Sequence, residues 1–130
     1  MKVFTLTTKV LAEHIDNLGH VNNVQYLQWV QEAAFAHWEA LIQNQKETLG
    51  IWVVRSHSIT YKNPAFINDE ITLKTYVKQS KGVLSERIVE IYKDTNSSLL
   101  ARCSTQWCYL NATTHKMEKI PQSIIDLFES

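Results

Sequence analysis

The sequence is poor in the residues that mark special protein classes. It contains two cysteines, three glycines and two prolines in 130 residues, which excludes collagen-like repeats and disulfide-rich scaffolds. The charged fraction is 20% and the hydrophobic fraction is 45%, and these values are typical of an ordinary globular protein rather than a disordered one. A chain of 130 residues fits one domain and is too short for two. We therefore expect residues 1–130 to form a single domain.

An excess of charge of one sign is also missing. Thirteen Lys and Arg residues balance thirteen Asp and Glu residues, so no broad positive surface is available for a phosphate backbone. No apolar run approaches the ~20 residues that span a bilayer, and residues 1–9 lack the apolar core of a signal peptide. The sequence therefore predicts neither a nucleic-acid partner nor a membrane partner.

The two cysteines do not form a recognisable redox or metal motif. Cys103 and Cys108 are five residues apart in a strand-like segment, so their side chains point to opposite faces. They fit neither a CxxC pair nor half of a zinc site. We interpret both as reduced packing residues of a cytoplasmic protein.

The few glycines and prolines fall at boundaries, which predicts long uninterrupted elements between them. From Asn22 to about Ile42, apolar residues recur every three or four positions, which is helical spacing, and asparagine is a favoured residue type for capping a helix start. The remaining segments alternate in the manner of strands or, after Pro121, form a short helix. We predict strands at Val3–Leu11, Ile51–Tyr61, Ile71–Lys78, Leu84–Tyr92 and Leu99–Leu110, and a final helix at Gln122–Phe128.

The order of these elements indicates an α+β domain. Short turns favour antiparallel neighbours among the four strands that follow the long helix. One face of the predicted sheet is polar and faces solvent, so the apolar helix must pack against the other face of the sheet. The sequence therefore predicts one antiparallel sheet wrapped around one buried helix.

One segment, Glu13–Tyr26, is chemically unlike the rest. It joins the first strand to the long helix and contains two acids, two histidines and three asparagines. A helix start exposes unpaired N–H groups and the positive end of the helix dipole, which stabilise an acyl oxygen or an anion. Gly19 permits a tight turn that brings Asp16 back over that start. Because the histidines lack metal-ligand spacing, we expect no metal. The sequence contains no P-loop and no G-x-G-x-x-G motif, and we expect no cofactor.

Residues 16–29 read DNLGHVNNVQYLQW and resemble the D-x-x-G-H-V-N-N-x-x-Y-x-x-[YW] signature of hotdog-fold acyl-CoA thioesterases, the 4-hydroxybenzoyl-CoA thioesterase-like family. Acyl-carrier-protein thioesterases share the H-V-N-N-x-x-Y core. The resemblance implies a hotdog fold: a five-stranded antiparallel sheet wrapped around one long central helix, with a short C-terminal helix. It also implies hydrolysis of an acyl-CoA, and a homodimer or homotetramer with the site at the subunit interface.

The resemblance also assigns roles to single residues. Asp16 matches the catalytic carboxylate, either as nucleophile on the thioester carbonyl or as general base for water. The backbone N–H of Asn23 matches the group that polarises that carbonyl. The matching substrate-pocket positions are His20, Val21, Asn22 and Tyr26. Cations near the pocket mouth are candidates for binding the phosphates of CoA, and these are Lys62, Lys78, Lys81 and Arg87.

Several alternatives remain open. Asp16 is otherwise a loop residue that bonds its own turn, His20 a structural histidine, and Tyr26 a core residue. Glu32, in the middle of the helix, is the fallback catalytic carboxylate. Leu18 stands where the acyl-carrier-protein branch has a catalytic asparagine, so that branch's mechanism does not carry over intact. The alternative functions are an acyl-thioester-binding protein without turnover, an acyl-carrier-protein thioesterase, and a hydratase or dehydratase.

Overall fold

The computed structural model describes residues 2–45 and 47–129. Both helices and all five strands predicted from the sequence are present, with boundaries that differ from the predicted ones by three residues or fewer. The elements are β1 (Phe4–Lys9), a single 3-10 turn (Ala12–His14), α1 (Asn23–Ile42), β2 (Ile51–Tyr61), β3 (Glu70–Lys81), β4 (Leu84–Lys93), β5 (Ser98–Leu110) and α2 (Gln122–Glu129).

The five strands form one antiparallel sheet in the order β1-β3-β4-β5-β2. The expectation that all four strands after α1 are sequential neighbours is wrong for β2, which pairs with β5 instead of β3. The reason is the connection formed by residues 62–69, which contains Pro64 and is longer than a tight hairpin turn. It carries the chain across to the other side of the sheet, and β2 therefore lies at one sheet edge.

Helix α1 packs its apolar side on the inner face of this sheet. The buried residues Trp29, Val30 and Ala33 share one hydrophobic cluster with residues of β3, β4 and β5. The small side chain of Ala33 lets the helix approach the strands closely. A second cluster, built around Tyr109 and Phe128, packs α2 against the C-terminal part of α1. The predicted α+β arrangement of one sheet and one buried helix is confirmed.

A short closed turn leads into α1. Ile15 and Val21 form an isolated antiparallel bridge, and between them Gly19 adopts a φ of +80°, a conformation that glycine reaches without steric cost. Asn22 caps the helix, because its side-chain oxygen accepts a hydrogen bond of 2.8 Å from the Val24 N–H. The turn therefore holds residues 16–20 beside the first turn of α1.

Candidate functional site

Asp16 lies half-buried in this turn. Its Oδ1 accepts hydrogen bonds from the Leu18 N–H at 2.9 Å and the His20 N–H at 3.4 Å, and its own N–H donates to the His20 carbonyl at 2.8 Å. These are the local bonds expected of a loop aspartate. Among residues 2–45 and 47–129, however, no hydrogen bond engages Oδ2. One carboxylate oxygen thus shapes the turn and the other has no protein partner.

A pocket of about 310 Å³ lies at the start of α1, and we call it the helix-start pocket. Four of the residues predicted for the site line it together with one predicted cation and three residues that follow or end β2. Asp16 adjoins the pocket through its bonds to the wall residue His20, and Asn22 acts as the cap of the helix. The lining residues are His20, Val21, Asn23, Tyr26, Tyr61, Lys62, Asn63 and Pro64.

The first backbone N–H of α1 is free to bind a ligand oxygen. Asn22 satisfies the next two N–H groups, since its side chain accepts from Val24 and its carbonyl accepts from Gln25 at 2.9 Å. For the Asn23 N–H, the hydrogen bonds of the described part of the chain include no acceptor. Because Asn23 also lines the helix-start pocket, this N–H is suited to polarising a carbonyl there.

Tyr26 belongs to the core and to the pocket at once. Its side chain is 3% exposed, and its ring packs edge-on against Trp29 at 5.7 Å and Tyr61 at 5.4 Å between centroids. Burial raises the pKa of the Tyr26 hydroxyl above its ordinary value, so the hydroxyl stays protonated at neutral pH. His20 is half-buried, with its ring edge-on to Phe66 at 5.3 Å.

The candidate phosphate-binding cations are not brought together. Lys62 lines the helix-start pocket. Lys81 lies at the opposite end of the sheet. It pairs with Leu84 of β4, which pairs with Cys108 of β5, and Cys108 in turn pairs with the first half of β2, away from the helix-start pocket. The expectation that Arg87 lies at a pocket mouth is wrong: its side chain is buried, and its Nη1 donates to neighbouring side chains under the helix.

A second and larger pocket, of about 550 Å³, lies between the middle of α1 and the inner face of β2, β4 and β5. We call it the aromatic pocket. Sequence reasoning did not find it, because its walls come from four separate elements. Glu32, the fallback carboxylate, lies here and not at the helix start. The lining residues are Gln31, Glu32, Ala34, Phe35, Trp38, Glu39, Gly50, Ile51, Trp52, Ser85, Arg87 and Trp107.

Arg87 and His37 form a buried pair beneath the aromatic pocket. Arg87 Nη1 donates to His37 Nδ1 at 2.8 Å and to Thr75 Oγ1 at 3.0 Å. Because arginine only donates hydrogen bonds, His37 Nδ1 must be unprotonated and the ring neutral. Burial, followed by the charges of Arg87 and Lys2, lowers the pKa of His37 to about 4.

We expect this neutral histidine to make the free energy of unfolding decrease as the pH is lowered from about 6.5 to about 4. Between its ordinary pKa of 6.5 and about 4, the unfolded chain binds a proton at His37 that the native chain does not, so unfolding is favoured as the pH is lowered. The loss in the free energy of unfolding is at most about 3.5 kcal/mol, at roughly 1.4 kcal/mol per pKa unit. Urea unfolding of wild type and His37→Gln between pH 7.5 and 4.5 measures it. Equal pH slopes for the two proteins would contradict the assignment.

Two kinds of feature are absent from the described residues. Within ranges 2–45 and 47–129, no helix combines the length and the apolar character needed to cross a bilayer. In the same ranges, no three His, Cys, Asp or Glu side chains are grouped so as to hold a metal ion.

Similarity to known proteins covers nearly the whole chain. A family model described as the thioesterase-like superfamily matches residues 10–128. The long-chain acyl-CoA thioesterase FadM of Escherichia coli (strain K12) is 33% identical over an alignment of 85 residues that covers 62% of this chain. That match spans 64% of the relative, less than two thirds of its length.

Two solved structures share the fold. A 1,4-dihydroxy-2-naphthoyl-CoA thioesterase from Synechocystis has a TM-score of 0.84 at 22% identity, covering 99% of this chain and 97% of its own. A probable thioesterase from Escherichia coli has a TM-score of 0.85 at 23% identity, covering 96% of both chains. These likenesses confirm the predicted hotdog fold class.

Proposed function

The chain belongs to the thioesterase-like superfamily, and from that premise we propose that it hydrolyses an acyl-CoA thioester to the free acid and CoA. One observation carries the proposal: the helix-start pocket has in its wall a helix N–H without a partner among the described residues, and the turn bonded to that wall holds a carboxylate oxygen that the described part of the protein does not use. Asp16 supplies the oxygen through a turn bonded to His20. Asn23 supplies the N–H.

In the proposed reaction, the thioester carbonyl oxygen accepts a hydrogen bond from the Asn23 N–H. Negative charge develops on this oxygen as the carbonyl carbon is attacked, and one well-placed donor is worth roughly 10²–10³ in rate. The positive end of the α1 dipole acts in the same direction. This arrangement requires no metal ion and no cofactor.

Asp16 acts in one of two ways. As nucleophile, its Oδ2 attacks the carbonyl carbon and displaces the CoA thiolate, and water then hydrolyses the resulting anhydride and restores the carboxylate. As general base, it takes a proton from the water that attacks, a contribution of about 10²–10⁴ in rate. In both routes the hydrogen bonds from Leu18 and His20 to Oδ1 hold the carboxylate in position.

CoA is the proposed carrier because two of the proteins that the chain resembles, FadM of Escherichia coli and the Synechocystis enzyme, are described as thioesterases of CoA thioesters. Lys62 lines the pocket and is the candidate for contact with the CoA phosphates. Leu18, in place of the catalytic asparagine of acyl-carrier-protein thioesterases, favours CoA further. Cys103 and Cys108 are free thiols, and we place the enzyme in the cytoplasm, where thiols stay reduced.

The proposal includes a homodimer, or a tetramer of two dimers, with the site between subunits. β2 is an edge strand, and edge strands present unpaired backbone groups to other chains. On this edge Ile51 and Val53 are 39% and 41% exposed. Pairing of two β2 strands covers these apolar side chains and joins the two sheets.

A panel of short, long and aromatic acyl-CoA substrates tests the function by release of free thiol, with light scattering on the same preparation. We expect turnover of at least one substrate class and a mass of two or four chains. Saturable acyl-CoA binding without thiol release would favour the non-catalytic alternative. Gain or loss of water with the thioester retained would indicate a hydratase or dehydratase, and a monomer would contradict the shared site.

A further inference from the structure

Arg87 is a buried cation without an opposite charge. Its side chain on β4 belongs to a residue that is only 4% exposed. The ion pairs formed within residues 2–45 and 47–129 are Lys93–Asp69 and Arg102–Glu90, and Arg87 is in neither. Its hydrogen-bond partners, His37 and Thr75, are both neutral. Its guanidinium carbon also lies 5.9 Å from the centroid of the Phe128 ring, a cation–π contact that brings no formal negative charge. Because an uncompensated buried charge costs several kcal/mol, a site of this kind is suited to an anionic ligand.

The guanidinium group lies at the floor of the aromatic pocket, where a second donor accompanies it. Trp107 also lines the pocket, and its buried indole Nε1 has no hydrogen-bond partner in the described part of the chain. Arg87 pairs with Thr105, two residues before Trp107, so the two donors are diagonal neighbours on one face, with backbones roughly 7–8 Å apart. Nη1 of Arg87 already donates to His37 and Thr75, so the donors left without an acceptor among the described residues are its remaining N–H groups and the Trp107 indole N–H.

The rest of the aromatic pocket is suited to an apolar body. Phe35, Trp38 and Trp52 form its walls, and its volume of about 550 Å³ lies within the usual range for small-molecule sites. The two acids of the lining, Glu32 and Glu39, are exposed on α1, and neither lies within ion-pair distance of Arg87. The pocket therefore combines an apolar middle with a cationic floor.

We propose that the aromatic pocket binds the far end of the acyl group, that this end carries a carboxylate, and that Arg87 and Trp107 are the specificity-determining residues that bind it. The inference rests on the proposed thioester hydrolysis and names its substrate class: the CoA monothioester of a dicarboxylic acid. A neutral oxygen would accept hydrogen bonds from these donors but would leave Arg87 without a negatively charged partner. A carboxylate accepts the same hydrogen bonds and also neutralises the charge of Arg87, through charge-assisted hydrogen bonds.

The pocket's position agrees with a site shared between subunits. The two pockets of one chain lie along successive parts of α1. Asn23 and Phe35 are 12 residues apart, about 18 Å at 1.5 Å per residue. The nearest lining residues, Tyr26 and Gln31, are five residues apart, or about 7.5 Å. Ile51 and Trp52 of the edge strand β2 line the aromatic pocket. If two β2 strands pair antiparallel, the Ile51 end of one copy lies beside the Tyr61 end of the other. We then place the thioester end of the substrate at the helix-start pocket of the second copy, which Tyr61 lines.

Two matched ligand pairs test the proposal. Benzoate and benzamide have the same shape and differ in charge, and their binding is followed by fluorescence of the pocket tryptophans. We expect wild type to bind benzoate about tenfold or more tightly than benzamide, the effect of a hydrogen bond to a charged group. Adipoyl-CoA and hexanoyl-CoA have equal chain length, and we expect kcat/KM to favour adipoyl-CoA by a similar factor.

Arg87→Gln removes both preferences, and Arg102→Gln, which changes an exposed arginine of the neighbouring strand β5, keeps them. If Arg87→Gln fails to fold, Trp107→Phe provides the test. This substitution keeps an aromatic ring but removes the indole N–H donor, and we expect it to weaken benzoate binding severalfold. Equal binding of benzoate and benzamide by wild type overturns the pocket assignment, even if hexanoyl-CoA is hydrolysed. Selective benzoate binding without any thiol release instead overturns the proposed hydrolysis and leaves the pocket assignment standing.

Discussion

Asp16→Asn is expected to lower kcat/KM for acyl-CoA hydrolysis by about 10²–10⁴, the range of a general base, with little change in the fold. The asparagine retains a side-chain oxygen that accepts from the Leu18 and His20 N–H groups. The turn therefore keeps its shape, and only the negative charge and the reactive oxygen are lost. Thiol release from the best substrate of the panel measures the effect, and thermal unfolding verifies the fold.

Glu13→Gln is the matched control, because it neutralises an exposed acid of the same segment and should leave kcat/KM unchanged. Full turnover by Asp16→Asn would remove Asp16 from the mechanism. Glu32→Gln would then be the next variant to measure, since Glu32 lies in the middle of α1 and is one of the two acids that line the aromatic pocket.

Gly50→Ala is expected to destabilise the fold by about 3 kcal/mol or more, at the upper end of the cost of overpacking. A Cβ atom at this position would overlap the Leu110 carbonyl oxygen and lie 2.5 Å from Tyr109 Cζ. The Gly50 N–H also donates to the Tyr109 hydroxyl at 2.7 Å, so the two segments cannot separate without losing this bond. Urea unfolding measures the change in the free energy of unfolding.

Gly82→Ala is the control for this substitution. A Cβ atom there meets nothing within 4 Å, although the φ of +63° is unfavourable for alanine and costs roughly 1–2 kcal/mol. A Gly50→Ala protein no less stable than Gly82→Ala would show that the Tyr109 ring and the β5 backbone move away at little cost.

The elements could be predicted from the sequence because each has its own periodicity. Asn22 marks the start of α1, and alternation marks the strands. The partner of β2 could not be predicted, since strand pairing depends on the path of residues 62–69 and not on the composition of β2. For the same reason Tyr61 and Asn63, which the β2–β5 pairing brings to the helix start, were missed.

The two pockets also differ in how much of their lining could be predicted from the sequence. Half of the residues that line the helix-start pocket come from one contiguous segment, so a motif of residues 16–29 predicts that half of its wall. The aromatic pocket is assembled from α1, β2, β4 and β5 and has no motif. Arg87 follows Glu86 in an alternating strand, where an arginine is usually exposed. Only the packing of α1 over β4 reveals that it is buried.

The separation of the two pockets along α1 has a consequence for how such enzymes diversify. They have no lining residue in common, so, if the two pockets act as proposed, mutations at Phe35, Trp52 or Trp107 alter which acid is released and leave the turn of residues 16–20 unchanged. Homologous enzymes can in this way keep the same proposed catalytic residues while their substrate specificities diverge. Such lineages are expected to retain residues 16–26 and to vary most on the opposite half of the helix.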